Sequence, residues 1–284
     1  MEKSGRSRTM TARVCALAVF AVLAAAVTGG CPRAGMPRSS APRRHPKSAA
    51  PAAKEEKPMA PGVTVQYYGQ ACFVVSDSQG TRVAIDPYGA GVGYKVPALA
   101  ADICLVTHEH FDHNNTEAVG GAPEIMRTPG KREVKGLSLL GVEASHHPPG
   151  QHTERGDVIM YKWVMDGIAL LHCGDLGAPL NTDQIAALGK IDILLVPVGG
   201  FYTIDAGQAV QVVQDLKPEV VIPMHFRTEA SASKMSQIAP VDAFLQTIPS
   251  AWVLTKSQVN SVTIPKSELE KPGAPVRVIV LNYR

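Results

Sequence analysis

The middle of the chain contains the sequence DICLVTHEHFDH (102–113), in which an apolar run leads directly into a dense group of ligand-type side chains. These side chains are His108, His110, Asp112 and His113. With average His and Asp content, such an arrangement arises by chance on the order of once in several thousand chains of this length. Neutral imidazoles and a carboxylate suit zinc and similar ions. The motif therefore predicts a metal site at the end of a buried strand.

The spacing within the motif divides the four side chains into two pairs. His108 and His110 are two residues apart, so in extended backbone both project to the same side and can hold one ion. Asp112 and His113 lie further round the turn and can reach a second ion. We therefore expect two divalent ions, with zinc favoured and manganese or iron as alternatives.

Short strand-like and helical segments surround the motif. The predicted strands are 63–68, 71–76, 81–86, 102–107, 136–144, 157–165, 168–173, 191–198, 219–225 and 276–281. Helices are predicted at 182–188, 205–216 and 241–248, and Asp205 is expected to cap the second. Strands in meanders followed by strand and helix alternation predict sheets packed on each other with helices outside. The fold class expected for residues 61–284 is α/β (α+β), a four-layer αββα sandwich.

The motif resembles the metal-binding loop of the metallo-β-lactamase superfamily, and the family pattern can be followed over most of residues 62–230. Upstream, YGQACF (68–73) and IDP (85–87) resemble the opening strands of one branch of that superfamily. This branch contains the ascorbate-6-phosphate lactonases and N-acyl phosphatidylethanolamine phospholipase D. The resemblance implies that the chain is a metal-dependent hydrolase.

Further ligand positions of the family find counterparts downstream. His147 matches the third His of the first metal, Asp175 the carboxylate between the metals, and His225 the last His. The neighbour His146 is equally able to coordinate, and we favour His147 over it. Asp86 matches an acidic residue that braces the metal loop in the family, with a simple turn Asp before Pro87 as the equal alternative.

The loop 199–205 follows a buried strand and leads into a helix, which should bring it near the site. Tyr202 and Thr203 are candidate substrate contacts, and a tight turn capped by Asp205 is the alternative. His152 and His172 are expected to be a loop histidine and a core histidine. Cys72, Cys104 and Cys173 lie in apolar strand-like stretches, a pattern that favours buried thiols.

The implied mechanism is hydrolysis by a hydroxide that bridges the two ions, with Asp112 and Asp175 as catalytic metal ligands. An Asp rather than a Cys at position 175 favours lactonase, thioesterase and phosphodiesterase chemistry over the cleavage of β-lactam antibiotics. A small ester or lactone is the favoured substrate. The alternatives are a phosphodiesterase or phospholipase D-like enzyme and a metal- or ligand-binding lipoprotein without turnover.

The N-terminal segment has the three-part layout of a secretory signal. Basic residues precede the apolar run 14–27, and small residues then lead to Cys31. Residues 28–31 resemble a bacterial lipobox, although Thr28 stands where Leu is usual, and simple secretion or an uncleaved anchor are the alternatives. We expect a lipoprotein-type signal peptide over residues 1–31, with the protein exported from a bacterial cytoplasm into the periplasm or lipid-anchored to the cell envelope.

The segment after Cys31 is expected to be a flexible linker. Residues 32–60 contain six Pro, seven Ala and seven Lys or Arg, and no aromatic residue. Such a composition buries too little apolar surface to offset the entropy of ordering. The linker would let the N-terminus hold the domain near a membrane.

The charge of the chain is unevenly distributed. The whole chain has a formal charge of +3, but residues 61–284 alone carry a net charge of −5. A nucleic-acid-binding domain is expected to keep a basic stripe on its folded part, and no dense basic run is present there. Nucleic acid is therefore not an expected partner, and a small molecule is.

Overall fold

The first sheet has six strands in the order β15-β1-β2-β3-β5-β7. The computed structural model describes residues 60–147, 156–271 and 273–283. In β1, Val63, Val65 and Tyr67 are buried while the residues between them are half-buried, which is the alternation of a strand with one face on the core. The bounds of the six strands are Gly62–Gly69 (β1), Cys72–Ser76 (β2), Arg82–Ile85 (β3), Ile103–Leu105 (β5), Glu124–Met126 (β7) and Ser261–Pro265 (β15).

The second sheet has eight strands in the order β14-β16-β13-β12-β11-β10-β9-β8. Five neighbouring strands run parallel to one another, namely β11, β12, β13, β16 and β14, whereas β8, β9, β10 and β11 are antiparallel to their neighbours. The residues of β11, β12 and β13 are all buried, as expected for parallel strands covered on both faces. The bounds are Gly130–Val134 (β8), Leu137–Ser145 (β9), Asp157–Met165 (β10), Ile168–His172 (β11), Ile193–Pro197 (β12), Val220–Met224 (β13), Val253–Lys256 (β14) and Arg277–Val280 (β16).

The α-helices of the described residues accompany the second sheet. Their bounds are Thr182–Leu188 (α1), Ala206–Leu216 (α2) and Val241–Leu245 (α3). α1 contacts β9, and α2 contacts β12 and α3. As predicted, the side chain of Asp205 caps α2 by accepting a hydrogen bond from the backbone N–H of Gln208, and Asn181 caps α1 in the same way.

The hydrophobic core fills the space between the two sheets. Tyr67 and Phe73 from the first sheet meet Trp163 and Leu170 from the second in one continuous cluster. A smaller cluster covers the other face of the first sheet, where the segment 87–120 packs instead of a long helix. This segment contains the two-stranded sheet of β4 (Leu99–Ala100) and β6 (Val119–Gly120). The sandwich fold predicted from the sequence is confirmed.

Strands β4, β6, β7, β8, β14 and β15 were not predicted, because they are two to five residues long and most contain exposed residues that blur the alternation. The predicted buried thiols of Cys72, Cys104 and Cys173 are confirmed. The described residues contain no helix with the length and apolarity needed to cross a membrane. The signal segment, Cys31 and the linker up to residue 59 lie outside the described residues, and so does His152.

Candidate metal centre

The predicted ligand residues follow the ends of several strands that point to one edge of the sandwich. The loop 107–113 follows β5, Asp175 follows β11 and His225 follows β13 directly. Because β11 and β13 belong to the same parallel group, their carboxyl ends lie at the same edge of the sheet. The architecture thus brings ligands from distant parts of the chain together on a rigid frame.

Three imidazoles form a first cluster, made of His108, His110 and His146. His108 Nε2 lies 3.0 Å from His110 Nδ1, and His146 Nε2 lies 3.3 Å from the same atom. His108 and His146 are buried, and His110 is half-buried. Three ring nitrogens therefore converge on one point.

The third histidine of this cluster in the structure is His146, whereas the sequence analysis favoured its neighbour His147. Inward positions alternate along the end of β9, so Ala144 and His146 are buried while Ser145 and His147 are half-buried. The ring of His147 stacks on the ring of His146 with 6.4 Å between centroids, and His147 is in none of the ligand groups of the described residues. The period of two along the strand was the sequence signal that could have identified His146.

Asp112, His113 and His225 form a second cluster, whose ligand atoms lie within 4.8 Å of one another. His113 Nε2 lies 3.4 Å from Asp112 Oδ2. All three residues are buried. The motif 108–113 therefore contributes to both clusters, and these adjoin each other, since His108, His113 and Asp175 also form a group of possible ligands.

Asp175 lies between the two clusters. Its Oδ2 atom is 3.9 Å from His108 Nε2 and 3.8 Å from His146 Nε2 in the first cluster. The same oxygen is 3.2 Å from His225 Nε2, and Oδ1 is 3.3 Å from His113 Nε2 in the second cluster. One carboxylate thus faces both sets of nitrogens, as a ligand shared by two ions would.

The donor atoms of the site fit divalent metal ions. In a tetrahedral site with zinc–nitrogen bonds of 2.0–2.1 Å, neighbouring ligand atoms are roughly 3.3 Å apart. The 3.0 and 3.3 Å separations in the first cluster match this value. In addition, His113 Nε2 and Asp175 Oδ1 are both buried, and neither atom forms a hydrogen bond with any described residue. Buried polar atoms without partners are costly, and a cation between them would satisfy both.

The protonation states of the site also suit a metal. Burial lowers the pKa of His108 to about 3 and that of His146 to about 4, so both imidazoles are neutral at pH 7 and offer a lone pair. Burial alone would raise the pKa of Asp112, but the neighbouring His113 lowers it to about 2. For Asp175, His113 and His225 likewise outweigh burial and hold the pKa well below its usual range. His113 differs, because Asp175, Asp112 and Asp86 outweigh burial and raise its pKa well above its usual range. The first cluster therefore offers neutral imidazoles, whereas His113 in the second cluster would have to give up a proton to bind an ion.

Asp86 holds the metal loop, so the bracing role applies rather than that of a simple turn residue. Its Oδ1 accepts a hydrogen bond from the backbone N–H of Thr107 at 2.9 Å, and Oδ2 accepts one from Thr107 Oγ1 at 2.8 Å. Oδ2 also lies 2.8 Å from His113 Nδ1, which turns the Nε2 atom of that ring toward Asp112 and Asp175. A hydrogen bond of this kind fixes the orientation of a ligating imidazole.

Gln70 and His172 also position the site, and neither was assigned this role from the sequence. Gln70 Nε2 donates to Asp112 Oδ2 at 3.0 Å, and the carbonyl oxygen of Gln70 accepts from the backbone N–H of His225 at 2.8 Å. His172 is the buried core histidine that was predicted. Its Nε2 lies 2.9 Å from the carbonyl oxygen of Ala71, and its Nδ1 accepts from Gly174 N–H at 3.1 Å.

Several of these residues have an unusual backbone conformation. Gln70, Asp86 and His225 have φ values of 54°, 49° and 51°, in the left-handed region that few residues other than glycine adopt. Such conformations persist where the surrounding structure imposes them, and they concentrate at functional sites.

Gly177 has a different role, because a Cβ atom there would lie 2.3 Å from the backbone carbonyl carbon of His146. Only glycine allows the Asp175 loop to approach the first cluster so closely.

A cavity of about 390 Å³ opens onto both clusters. Tyr202 lines it, whereas Thr203 is buried with its hydroxyl 3.2 Å from the carbonyl oxygen of Ile204 and is not part of the lining. Tyr202 therefore remains a candidate substrate contact, whereas Thr203 does not line the cavity. The residues that line the cavity are Gly91, His110, Phe111, Asp112, His146, Asp175, Tyr202, His225, Lys234 and Met235.

Comparisons with known proteins agree with this geometry. Residues 64–225 match the Beta-lactamase superfamily domain. A UPF0173 metal-dependent hydrolase from Thermoplasma volcanium is 32% identical over 193 residues, which are 58% of this chain and 84% of that protein. Another from Thermococcus onnurineus is 29% identical over 198 residues, which are 58% of this chain and 85% of that protein.

Solved structures show the same relationship. A metallo-β-lactamase superfamily protein from Thermotoga maritima has a TM-score of 0.61 at 30% identity, covering 77% of this chain and 98% of that one. Igni18, a metallo hydrolase from Ignicoccus hospitalis, shares the fold with a TM-score of 0.53 at 24% identity, covering 67% of this chain and 91% of that one. The chain therefore belongs to the metallo-β-lactamase superfamily and, within it, to the UPF0173 family of metal-dependent hydrolases.

Proposed function

We propose that the protein is an exported hydrolase that uses two divalent metal ions, zinc in the first instance, to cleave a small ester or lactone. The observation that carries this proposal is the position of Asp175. Its carboxylate faces the imidazoles of the first cluster and those of the second. Two clusters that share a carboxylate are the arrangement in which one nucleophile can be held between two ions.

Two ions bound there would supply a shared hydroxide at neutral pH and would polarise the bond under attack. The protein's own groups prepare the site for this. The carboxylates of Asp112 and Asp175 offset the charge of the ions, and the neutral rings of His108 and His146 complete their coordination. The contact of Asp86 with Nδ1 of His113 keeps the Nε2 atom of that ring directed toward the other ligand residues. Ligand side chains that are already held by hydrogen bonds favour catalysis, because they need little reorganisation.

The cavity supports a small substrate. A volume of about 390 Å³ is at the lower end of the range for small-molecule sites, roughly 300–1,000 Å³. Asp at position 175, together with the motifs YGQACF and IDP, is the reason to propose a lactonase-like activity related to the ascorbate-6-phosphate lactonases.

The second candidate function is a phosphodiesterase, including a phospholipase D-like activity on a headgroup. It is favoured by one observation, the presence of Lys234 among the residues that line the cavity, because an ammonium group there would attract a phosphate. The non-catalytic lipoprotein considered above has no comparable support, since the family consists of metal-dependent hydrolases.

Export is proposed from the signal-like N-terminus and Cys31. Metabolic labelling with a fatty acid tests the lipid anchor. Label should appear on the unmodified chain and disappear in Cys31→Ser. Label that persists in the variant would exclude Cys31 as the acylated residue, and absence of label from both would favour simple secretion.

Metal analysis combined with a substrate panel tests the enzymatic proposal. The purified chain, loaded with zinc, should contain two ions and hydrolyse generic lactones or aryl esters. Thioesters and bis(4-nitrophenyl) phosphate complete the panel. Preference for the phosphate diester would replace the ester proposal by the phosphodiesterase, and a chain that holds metal but cleaves none of these compounds would contradict both.

A further inference from the structure

We propose that Lys234 selects substrates in which an anionic group, a carboxylate or a phosphate, lies close to the bond that is cleaved. This inference rests on the proposed function and adds the chemical class of its substrate. Lys234 lines the same cavity as His110, Asp112 and His146. Of the cavity-lining residues in the described part of the chain, it is the sole Lys or Arg.

The ammonium group of Lys234 has no carboxylate partner in the described residues. The ion pairs found there involve other Lys and Arg side chains, among them Lys190, Lys256 and Lys266. Most exposed Lys residues carry no functional information, but this one lines the cavity that the candidate metal ligands also line. A cation in this position is available to an incoming anion.

The backbone that carries Lys234 is fixed by hydrogen bonds. The backbone N–H groups of Lys234 and Met235 both donate to the carbonyl oxygen of Ser231, at 3.0 and 2.8 Å. Ser231 Oγ in turn accepts from the backbone N–H of Thr228 at 3.0 Å. The hydroxyl groups of Thr228 and Tyr94 lie 2.8 Å apart, so the turn is joined to the segment that covers the first sheet.

Close packing also holds this turn. A Cβ atom at Gly93 would lie 2.4 Å from the carbonyl oxygen of Ala230, so the two backbones are in direct contact. Met235 and Ile238 are buried in the smaller hydrophobic cluster. Because the backbone is held on both sides, only the side chain of Lys234 has to be ordered when it binds a ligand.

The surroundings of Lys234 favour attraction of an anion. Met235, Tyr202 and the exposed ring of Phe111 form an apolar wall of the cavity. Charges interact more strongly beside apolar groups than in water, because the effective dielectric constant is lower. Residues 61–284 carry a net charge of −5, which disfavours anions in general. The single cationic side chain at the cavity therefore favours anionic substrates over neutral ones. The apolar wall suits a short hydrocarbon portion of such a substrate.

Matched aryl esters test this inference. The neutral substrate is 4-nitrophenyl valerate, and the anionic substrates are mono(4-nitrophenyl) glutarate and an ester of the same length that ends in a phosphonate. The metal-loaded wild-type chain should prefer the anionic esters in kcat/KM. Lys234→Met should lower kcat/KM for them by roughly 10- to 100-fold, with less than about a threefold change for the valerate.

Further variants keep the test specific. Lys234→Arg should retain most of the preference, and Lys234→Glu should reverse it. Lys131→Met removes an exposed Lys on β8, away from the cavity lining, and should change neither rate. Unequal losses for the carboxylate and phosphonate esters would tell which anion the site prefers.

The outcomes separate the two proposals. Hydrolysis of all three esters with equal efficiency, unaltered in Lys234→Met, would overturn the assignment of Lys234 and leave the hydrolase proposal intact. A parallel loss on neutral and anionic esters would also overturn it, since a structural role would act on both. A chain that hydrolyses none of the esters would contradict the proposed function itself, and with it the inference.

Discussion

The first and second clusters differ in composition and in how their ligands are held. The first cluster consists of imidazoles alone, and His110 in it is half-buried. The second cluster contains a carboxylate and is buried throughout, with Gln70 on Asp112 and Asp86 on His113. A charged ligand and supporting hydrogen bonds both raise metal affinity. We therefore expect the second cluster to bind its ion more tightly, so that a chelator removes the ion of the first cluster sooner.

Replacing the residue shared by both clusters should have the largest effect. Asp175→Ala removes the carboxylate that faces both clusters. We expect turnover to fall by roughly three orders of magnitude, because several kcal/mol of charge stabilisation is lost. Steady-state kinetics with elemental analysis measures this. Asp175→Asn is the matched control for volume and should be nearly as inactive. Full activity in either variant would contradict the bridging role.

Variants of single clusters should separate the two sites. His225→Ala and His146→Ala should each lower the metal content from two ions toward one and strongly reduce turnover. His147→Ala is the matched control for the first cluster, because its ring lies next to that of His146 but outside the ligand group. If His147→Ala lost the ion and His146→Ala kept it, the assignment of the third histidine would be reversed.

Weakening the contacts through which Asp86 holds the second cluster should have a moderate effect on metal affinity. Asp86→Asn weakens the interaction with His113 Nδ1 and the two hydrogen bonds from Thr107. We expect the affinity for the ion of the second cluster to fall by roughly 10- to 100-fold, while the first cluster changes less. Competition with a chromophoric chelator measures both affinities. Equal weakening of both ions would mean that Asp86 supports the whole loop rather than His113 in particular.

The smallest effect is expected for Gln70→Ala. The side chain contributes a single hydrogen bond to Asp112, while the contact from its carbonyl oxygen to His225 N–H belongs to the backbone and remains. We expect the affinity of the second cluster to fall by roughly tenfold or less. The same chelator titration applies, and a larger loss than in Asp86→Asn would show that Asp112 depends more on its support than His113 does.

The parts of the site that the sequence predicted are those encoded by short local patterns. The His and Asp residues of 108–113 are contiguous, and Asp175 and His225 each follow an apolar strand. The choice between His146 and His147 depends on which side of β9 faces inward, whereas the family resemblance pointed to His147. The role of Gln70 could not be predicted, because its contact with Asp112 joins residues 42 positions apart in the chain.

In the fold, too, the elements with a clear local pattern were predicted and those without one were not. Long apolar strands and capped helices were predicted close to their observed bounds, because their burial leaves a clear periodicity. Strand β14 was missed since all four of its residues are exposed at a sheet edge. The cover of the first sheet could not be predicted, because the segment 87–120 packs through scattered residues such as Tyr88, Val92 and Tyr94 rather than through a periodic face.

Anomalous diffraction from crystals of the zinc-loaded chain would locate the bound ions and their ligands. We expect two zinc peaks separated by roughly 3.5–4 Å, one beside His108, His110 and His146 and the other beside Asp112, His113 and His225, with the carboxylate of Asp175 between them. A single peak, or two peaks of which only one contacts Asp175, would contradict the account of a shared two-metal centre.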